Sequence, residues 1–242
     1  MNSNSGSSNA HRVRRPSPCT VGRMGRQNLI RTPFRPYHVV NQVNNKEWFH
    51  LPIGDVWDVL SEQCYEISEI HGARIHGFVL MSNHFHLIVS SPVSDLGIIM
   101  QHFSSFATRT YNRKSGRVGH LFRGRYKWSM IDSPLYYAHA LKYIYRNPVR
   151  AGICQKVETY AYSSLQGVLH RSRLPFPVTT GVKEQFGHDL VPEKTCELVT
   201  WLNQSLKNED NEWIRKALRR KTFEFSKYRT FESVERLENG LI

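Results

Sequence analysis

Cysteine is scarce in this 242-residue chain. The four cysteines, Cys19, Cys64, Cys154 and Cys196, are scattered and form no C-x-x-C pair. That excludes a disulfide framework and a cysteine-type zinc site, and free thiols are expected. Long apolar runs are missing too: no stretch is long enough to cross a bilayer, so no membrane partner is expected. The opening segment, MNSNSGSSNAHRVRRP, holds no apolar run that could serve as a signal peptide, which predicts a cytoplasmic protein. No internal repeat of solenoid period is present. Acidic residues are the last shortage, 20 Asp and Glu against 33 Lys and Arg, for a net charge of +13. Such a surplus is the electrostatic footprint of a protein that meets phosphate backbones, and it points to nucleic acid and a nucleoid-associated location.

What is present is enough apolar sequence, 40% of the chain, for one sizeable core. Residues 1–30, rich in Ser, Asn, Gly and Arg, read as a flexible basic N-terminal arm. YHVVNQV (37–43) alternates as a strand, and the helical spacing of Val56, Leu60, Cys64 and Ile67 follows. ARIHGFVLM and HFHLIVSS are two short strands joined by a Ser-Asn turn, and SDLGIIMQHFSSFATRTYN restores a helical period. The order is β-α-β-β-α. A basic loop interrupted by Gly116, Gly119 and Gly124 comes next; glycines let a loop approach a backbone closely. In DSPLYYAHALKYIYRNPVRAG, Ser133 is the expected N-cap, Pro134 fits the first turn, and Pro148 is expected to stop the helix. Residues 166–242 read as a C-terminal helical appendage with a basic end, a further DNA contact.

The chemistry-bearing stretch is MSNHFHLIV. On a strand, His84 and His86 share one face while Phe85 and Leu87 point to the other. In the later helix Tyr143 and Asn147 are four apart and share a face. Two imidazole nitrogens and one amide oxygen can hold a divalent cation facially, with open positions for the oxygens of a scissile phosphate. A tyrosine hydroxyl can then attack phosphorus and leave a covalent phosphotyrosine, with no nucleotide cofactor needed.

The blocks YHVVNQVNNKEWF, FVLMSNHFHLIVSSP, GHLFRGRYK and KYIYRNPVRAGI, in that order between Phe34 and Leu165, resemble the signature blocks of the REP-associated tyrosine transposases, a branch of the single-tyrosine HUH transposases. The resemblance implies an α+β fold with a ferredoxin-like antiparallel sheet core, and a catalytic domain over 31–165. It implies metal binding by His84, His86 and Asn147, with Mg²⁺ or Mn²⁺ as cofactor, and Tyr143 as nucleophile. It also implies recognition of a single-stranded foot of a palindromic DNA hairpin and 5′-phosphotyrosine chemistry that nicks and rejoins the strand. DNA contacts are expected from Arg14, Arg15, Arg113, Lys114, Arg117, Arg123, Arg125 and Lys127. A monomer is expected, with a dimer left open. Tyr136, Tyr137 and Tyr145 are expected to pack, as are Trp48, Phe49 and Trp57. His38, His71, His76, His120 and His139 are expected to be satisfied surface or core residues, with a place beside the metal ligands or against DNA as the alternative. The alternatives are a catalytically silent hairpin-binding regulator on the same scaffold and a metal-dependent nuclease that uses water.

Overall fold

The computed structural model describes Met1 and residues 29–223. The expected roles of Arg14 and Arg15, and of the arm as a whole up to residue 28, lie outside the described residues, as do Cys19 and the basic end beyond 223.

The chain forms β1 (Tyr37–Gln42), α1 (Ile53–His71), β2 (Arg74–Leu80), β3 (His84–Ser90), α2 (Leu96–Ser115), β4 (Lys127–Met130) and α3 (Pro134–Arg150). Four further helices follow, α4 (Leu165–Val168), α5 (Lys183–Phe186), α6 (Thr195–Asn203) and α7 (Asn208–Ala217). The strands lie in the order β2-β3-β1-β4 with every neighbouring pair antiparallel. This is the split β-α-β arrangement of a ferredoxin-like sheet, as the family resemblance implies. β4, a four-residue strand hidden behind the basic loop, was not anticipated.

Strand alternation divides the core in two. Val39, Phe78, Phe85, Leu87 and Val89 face α1 and α2, where Val56, Leu60, Ile67, Ile99 and Phe103 complete one cluster. Val79 and Ile88 face α3 with Tyr137, Ala140 and Ile144 in the second. Ser133 caps α3 by accepting the Tyr136 N–H, and Pro134 occupies its first turn. The helix does not stop at Pro148: it runs on to Arg150, with the proline in its last turn. A proline there forfeits only one backbone bond close to an end that frays anyway.

Helix α3 is buried nearly all round because it is covered twice, by the sheet on one side and by α6 and α7 on the other. Arg146 donates to the carbonyls of Leu202 (2.9 Å) and Asn203 (2.7 Å) at the end of α6. The Lys142 ammonium stands 4.9 Å from the centre of the Trp201 ring. Residues 221–223 then run beside the free edge of β4, bonding both the N–H and the carbonyl of Met130 (2.8 Å each), which covers an edge that would otherwise be open. On its sheet side α3 comes down onto Gly77, where an added Cβ would stand 2.7 Å from Ile144 Cδ1 and 3.1 Å from Leu141 Cδ1. This close approach sets the height of Tyr143 above the sheet. Among the described residues no helix is long and apolar enough to cross a membrane.

Candidate active site

β3 is the second strand in from one edge, so its α3-facing residues lie under the helix. His86 is 5% exposed on that face, and His84 is partly buried at the strand's start. Their rings are 5.0 Å apart, inclined at 78°. Each ring has its Nδ1 engaged: His84 Nδ1 lies 2.8 Å from Asn83 Oδ1, and His86 Nδ1 lies 2.9 Å from His38 Nε2. With Asn83 Oδ1 as acceptor, His84 Nδ1 carries the proton and its Nε2 presents a bare lone pair. The His86–His38 contact admits either direction, and when His86 Nδ1 donates, its Nε2 is bare as well. Fixing the tautomer of a metal-binding histidine through its other nitrogen is the usual task of an outer partner.

Burial holds all three imidazoles neutral. It pushes His38 down to about 3 and His84 to about 4. His86 falls well below its ordinary value for the same reason, reinforced by His38, His84 and the Arg150 charge. Neutral imidazole is the form that binds a metal.

Helix α3 brings Tyr143 over this pair. Its ring centre is 5.7 Å from that of His86 and 6.2 Å from that of His38, nearly perpendicular to both. One turn on, Asn147 donates Nδ2–H to the Tyr143 carbonyl at 3.1 Å, a bond that leaves its Oδ1 uncommitted. The Arg150 guanidinium stands 5.2 Å from the centre of the Tyr143 ring, so an exposed cation borders the hydroxyl's surroundings. Tyr137 and Tyr145 are packing residues, as expected. Burial raises both phenols, Tyr145 to about 12, and Tyr145 is tied to Ser164 at 3.0 Å.

Imidazole Nε2 atoms and an uncommitted amide oxygen are donors that suit a borderline or hard divalent cation. Among the described residues no group of three or more His, Cys, Asp or Glu side chains forms a metal-binding cluster. The candidate third ligand, Asn147, is an amide and falls outside that class.

The structure corrects three expectations about single residues. His38 is no bystander, since it is the hydrogen-bond partner of His86. The sequence signal was the strand register: Val40 pairs with His86, so His38, two residues along β1, shares its face. Trp48 is not core but 76% exposed, while Phe49 and Trp57 do pack against the core. Trp48 sits on a strap whose Val43 and Phe49 N–H groups bond the Asn83 and Ser82 carbonyls (2.9 and 3.0 Å), next to His84. The sequence groups Arg113 and Lys114 with the basic loop, but they belong to the last turn of α2.

Arg117, Arg123 and Arg125 do lie in the loop, which turns at Gly124 with a φ of 74°. Arg123 N–H bonds the Gln42 carbonyl at 2.7 Å, and Gln42 pairs with His84. Lys127 pairs with Val40, itself opposite His86. Lys127 therefore shares the His86 face, two strands away, at roughly 10 Å.

Residues 35–147 match the family profile of IS200-like transposases. The match covers 113 of the 242 residues, just under half of the chain. The matched span holds all four strands and ends on Asn147, so it contains the histidines, Tyr143 and the basic loop. Among solved structures the chain is similar to one described as the REP-associated tyrosine transposase bound to a REP hairpin. Identity is 17% and the TM-score 0.53, over 66% of this chain and 93% of that one. A Deinococcus radiodurans R1 protein named as a transposase aligns at 16% identity, TM-score 0.34, over 50% of this chain and 93% of its own. No curated protein matches the chain.

Proposed function

We propose that the chain is a REP-associated tyrosine transposase: a metal-dependent enzyme that binds a palindromic DNA hairpin, nicks the single strand at its foot and rejoins it through a 5′-phosphotyrosine. The observation that carries this reading is the Tyr143 ring lying 5.7 Å from His86, whose Nδ1 is engaged by His38. Neither a hairpin-binding regulator nor a water-using nuclease needs a tyrosine fixed at that place. The solved relative bound to a REP hairpin supports the partner.

His84, His86 and Asn147 would hold Mg²⁺ or Mn²⁺, which supplies polarisation of a phosphate oxygen at the scissile position. Tyr143 Oη forms the bond to phosphorus as the bond to the 3′ oxygen breaks. The phenol proton is given up and the departing 3′ oxygen takes one, leaving a free 3′ hydroxyl and the 5′ phosphate on tyrosine. Attack by a 3′ hydroxyl reverses the step, so no nucleotide cofactor is required. Arg150, beside the Tyr143 ring, is placed to attract the phosphate. The exposed Trp48 offers an unpaired base a stacking surface near His84. The reading implies a nucleoid-associated enzyme working as a monomer, because one chain carries every named group.

The test is incubation with a hairpin carrying a single-stranded 5′ flank, at moderate salt with Mg²⁺ or Mn²⁺, followed by denaturing electrophoresis. Protein covalently joined to a 5′ phosphate is expected from the hairpin and not from the same sequence annealed into full duplex. Tyr143→Phe should bind as before and give no adduct. His84→Ala with His86→Ala should lose cleavage and keep most affinity, which rests on phosphate contacts. An adduct from Tyr143→Phe, or equal cleavage of the duplex, refutes the assignment.

A further inference from the structure

A second groove, of about 850 Å³, lies on the other face of the sheet, between α2 and the 119–126 loop. Its α2 wall is a polar stripe, with Gln101, Ser104, Ser105 and Thr108 at helical spacing and Arg109 beside them. The facing wall carries His120 and Arg125. Arg31 and Asp95 close one end as an ion pair at 3.2 Å, and among the described residues Arg109 and Arg125 line the groove without an acidic partner. The Ser104 hydroxyl is buried and takes no hydrogen-bond partner among the described residues.

Guanidinium groups beside short hydroxyl and amide side chains are the set proteins use to grip phosphodiester backbones. The aromatic rings along the groove are closed to unpaired bases. Phe122 and Tyr126 are buried, at 5% and 9% exposed. Phe106, 42% exposed, lies outside the groove lining, with its ring against His102 (4.4 Å) and the Arg109 guanidinium (4.1 Å). Sequence-tolerant capture of single strands relies on open stacking rings. The groove offers charge and hydroxyls without them.

We infer that this groove holds the sugar-phosphate backbone of the paired stem of the hairpin, while the single strand passes the opposite face at Tyr143. The inference rests on the hairpin reading above. The basic loop joins the two faces: Arg125 lines the groove, Arg123 is bonded to the carbonyl of the residue opposite His84, and Lys127 shares the His86 face. DNA following these cations leaves the α2 groove, rounds the sheet edge at the loop and reaches the histidines.

The test measures binding by fluorescence anisotropy over a salt series, with three DNAs: a blunt hairpin stem, the same hairpin with its 5′ single-stranded flank, and the flank alone. Arg109→Glu and Ser105→Asp, both exposed and outside the Tyr143 site, put negative charge into the groove by independent routes. Each should weaken both hairpins about tenfold and lower the salt slope by about one. Neither should change binding of the flank, or the adduct yield from the flanked hairpin at saturation. Unchanged hairpin binding by both variants overturns the inference. Equal loss on all three DNAs also overturns it, because the groove would then hold the single strand. Failure of the unmodified protein to form an adduct refutes the tyrosine chemistry alone, since stem binding is read without cleavage.

Discussion

Acidification from pH 7 to pH 5 should destabilise this protein far more than an ordinary domain of its size. His38 and His76 are buried at 2% exposure. Burial holds them neutral, with pKa values pushed down to about 3 and about 4; His76 also feels Gly181 and Arg74 to a smaller extent. In the unfolded chain each returns to ~6.5. The folded pKa is the lower one, so the unfolded state binds the extra proton. Stability is therefore complete above about pH 6.5 and drains away as pH falls toward the folded value. At pH 5 the unfolded imidazole is almost wholly protonated and the folded one almost wholly not, which costs about 2 kcal/mol for each residue. Together that is a large share of a net stability of 5–15 kcal/mol, the usual range for a domain. Asp95 and Glu158, whose carboxyls are held low by hydrogen bonds against an opposing burial effect, act in the same direction only at more acid pH, so the window isolates the histidines. Urea unfolding followed by tryptophan fluorescence at pH 8, 7, 6 and 5 should show a falling midpoint with unchanged slope. His76→Gln, which removes one titrating group away from the histidine pair, should lose about 2 kcal/mol of the pH dependence. Stability that stays flat from pH 8 to pH 5 would refute the claim that these imidazoles are neutral in the fold.

His38→Phe keeps a ring against Tyr143 but removes the partner of His86 Nδ1, so Mn²⁺ affinity, read by calorimetry, should fall about 10–100-fold with little change in secondary structure. Trp48→Ala should weaken binding of the single-stranded flank by about 5- to 100-fold and leave the blunt stem unaffected, with Trp48→Phe recovering much of the loss. Gly77→Val puts methyl groups where Ile144 and Leu141 already stand. It should cost about 1–3 kcal/mol in urea unfolding and reduce adduct yield, because the lifted α3 carries Tyr143 with it.

The elements that could be read from the sequence have strong periods and strong punctuation. Helix α1 has its apolar residues at helical spacing, α3 has Ser133 and Pro134 at its start, and the H-x-H strand is a short apolar, β-branched run after a Ser-Asn turn, so their places were predictable. β4 was not, because KWSM is four residues long and follows a glycine-rich basic loop, and nothing in so short a run outweighs its surroundings. Pro148 was over-read: proline excludes the middle of a helix, whereas here it sits in the last turn, where the lost bond is cheap. His38 and Trp48 were misplaced for a different reason. A lone histidine in a strand gains its meaning from the register of a strand 48 residues away, and a tryptophan in a short segment is core or surface according to what the fold lays over it. Both depend on tertiary pairing, which local pattern does not contain.

The split between the two sheet faces has a consequence for how the protein must be assayed. With a net charge of +13, it will hold any duplex at low salt through counterion release, and most of that affinity needs neither Tyr143 nor the histidines. The groove beside α2 adds cations and hydroxyls suited to backbone, which read no sequence either. On the proposed reading, discrimination comes from the site at His84 and Tyr143 and from the exposed Trp48, which would favour a strand whose bases are free to splay and stack. A duplex can therefore bind about as tightly as the hairpin and still be inert, since its paired bases cannot reach Trp48 or bring a phosphate under Tyr143. Affinity measures the basic surface, and only the covalent adduct measures the site.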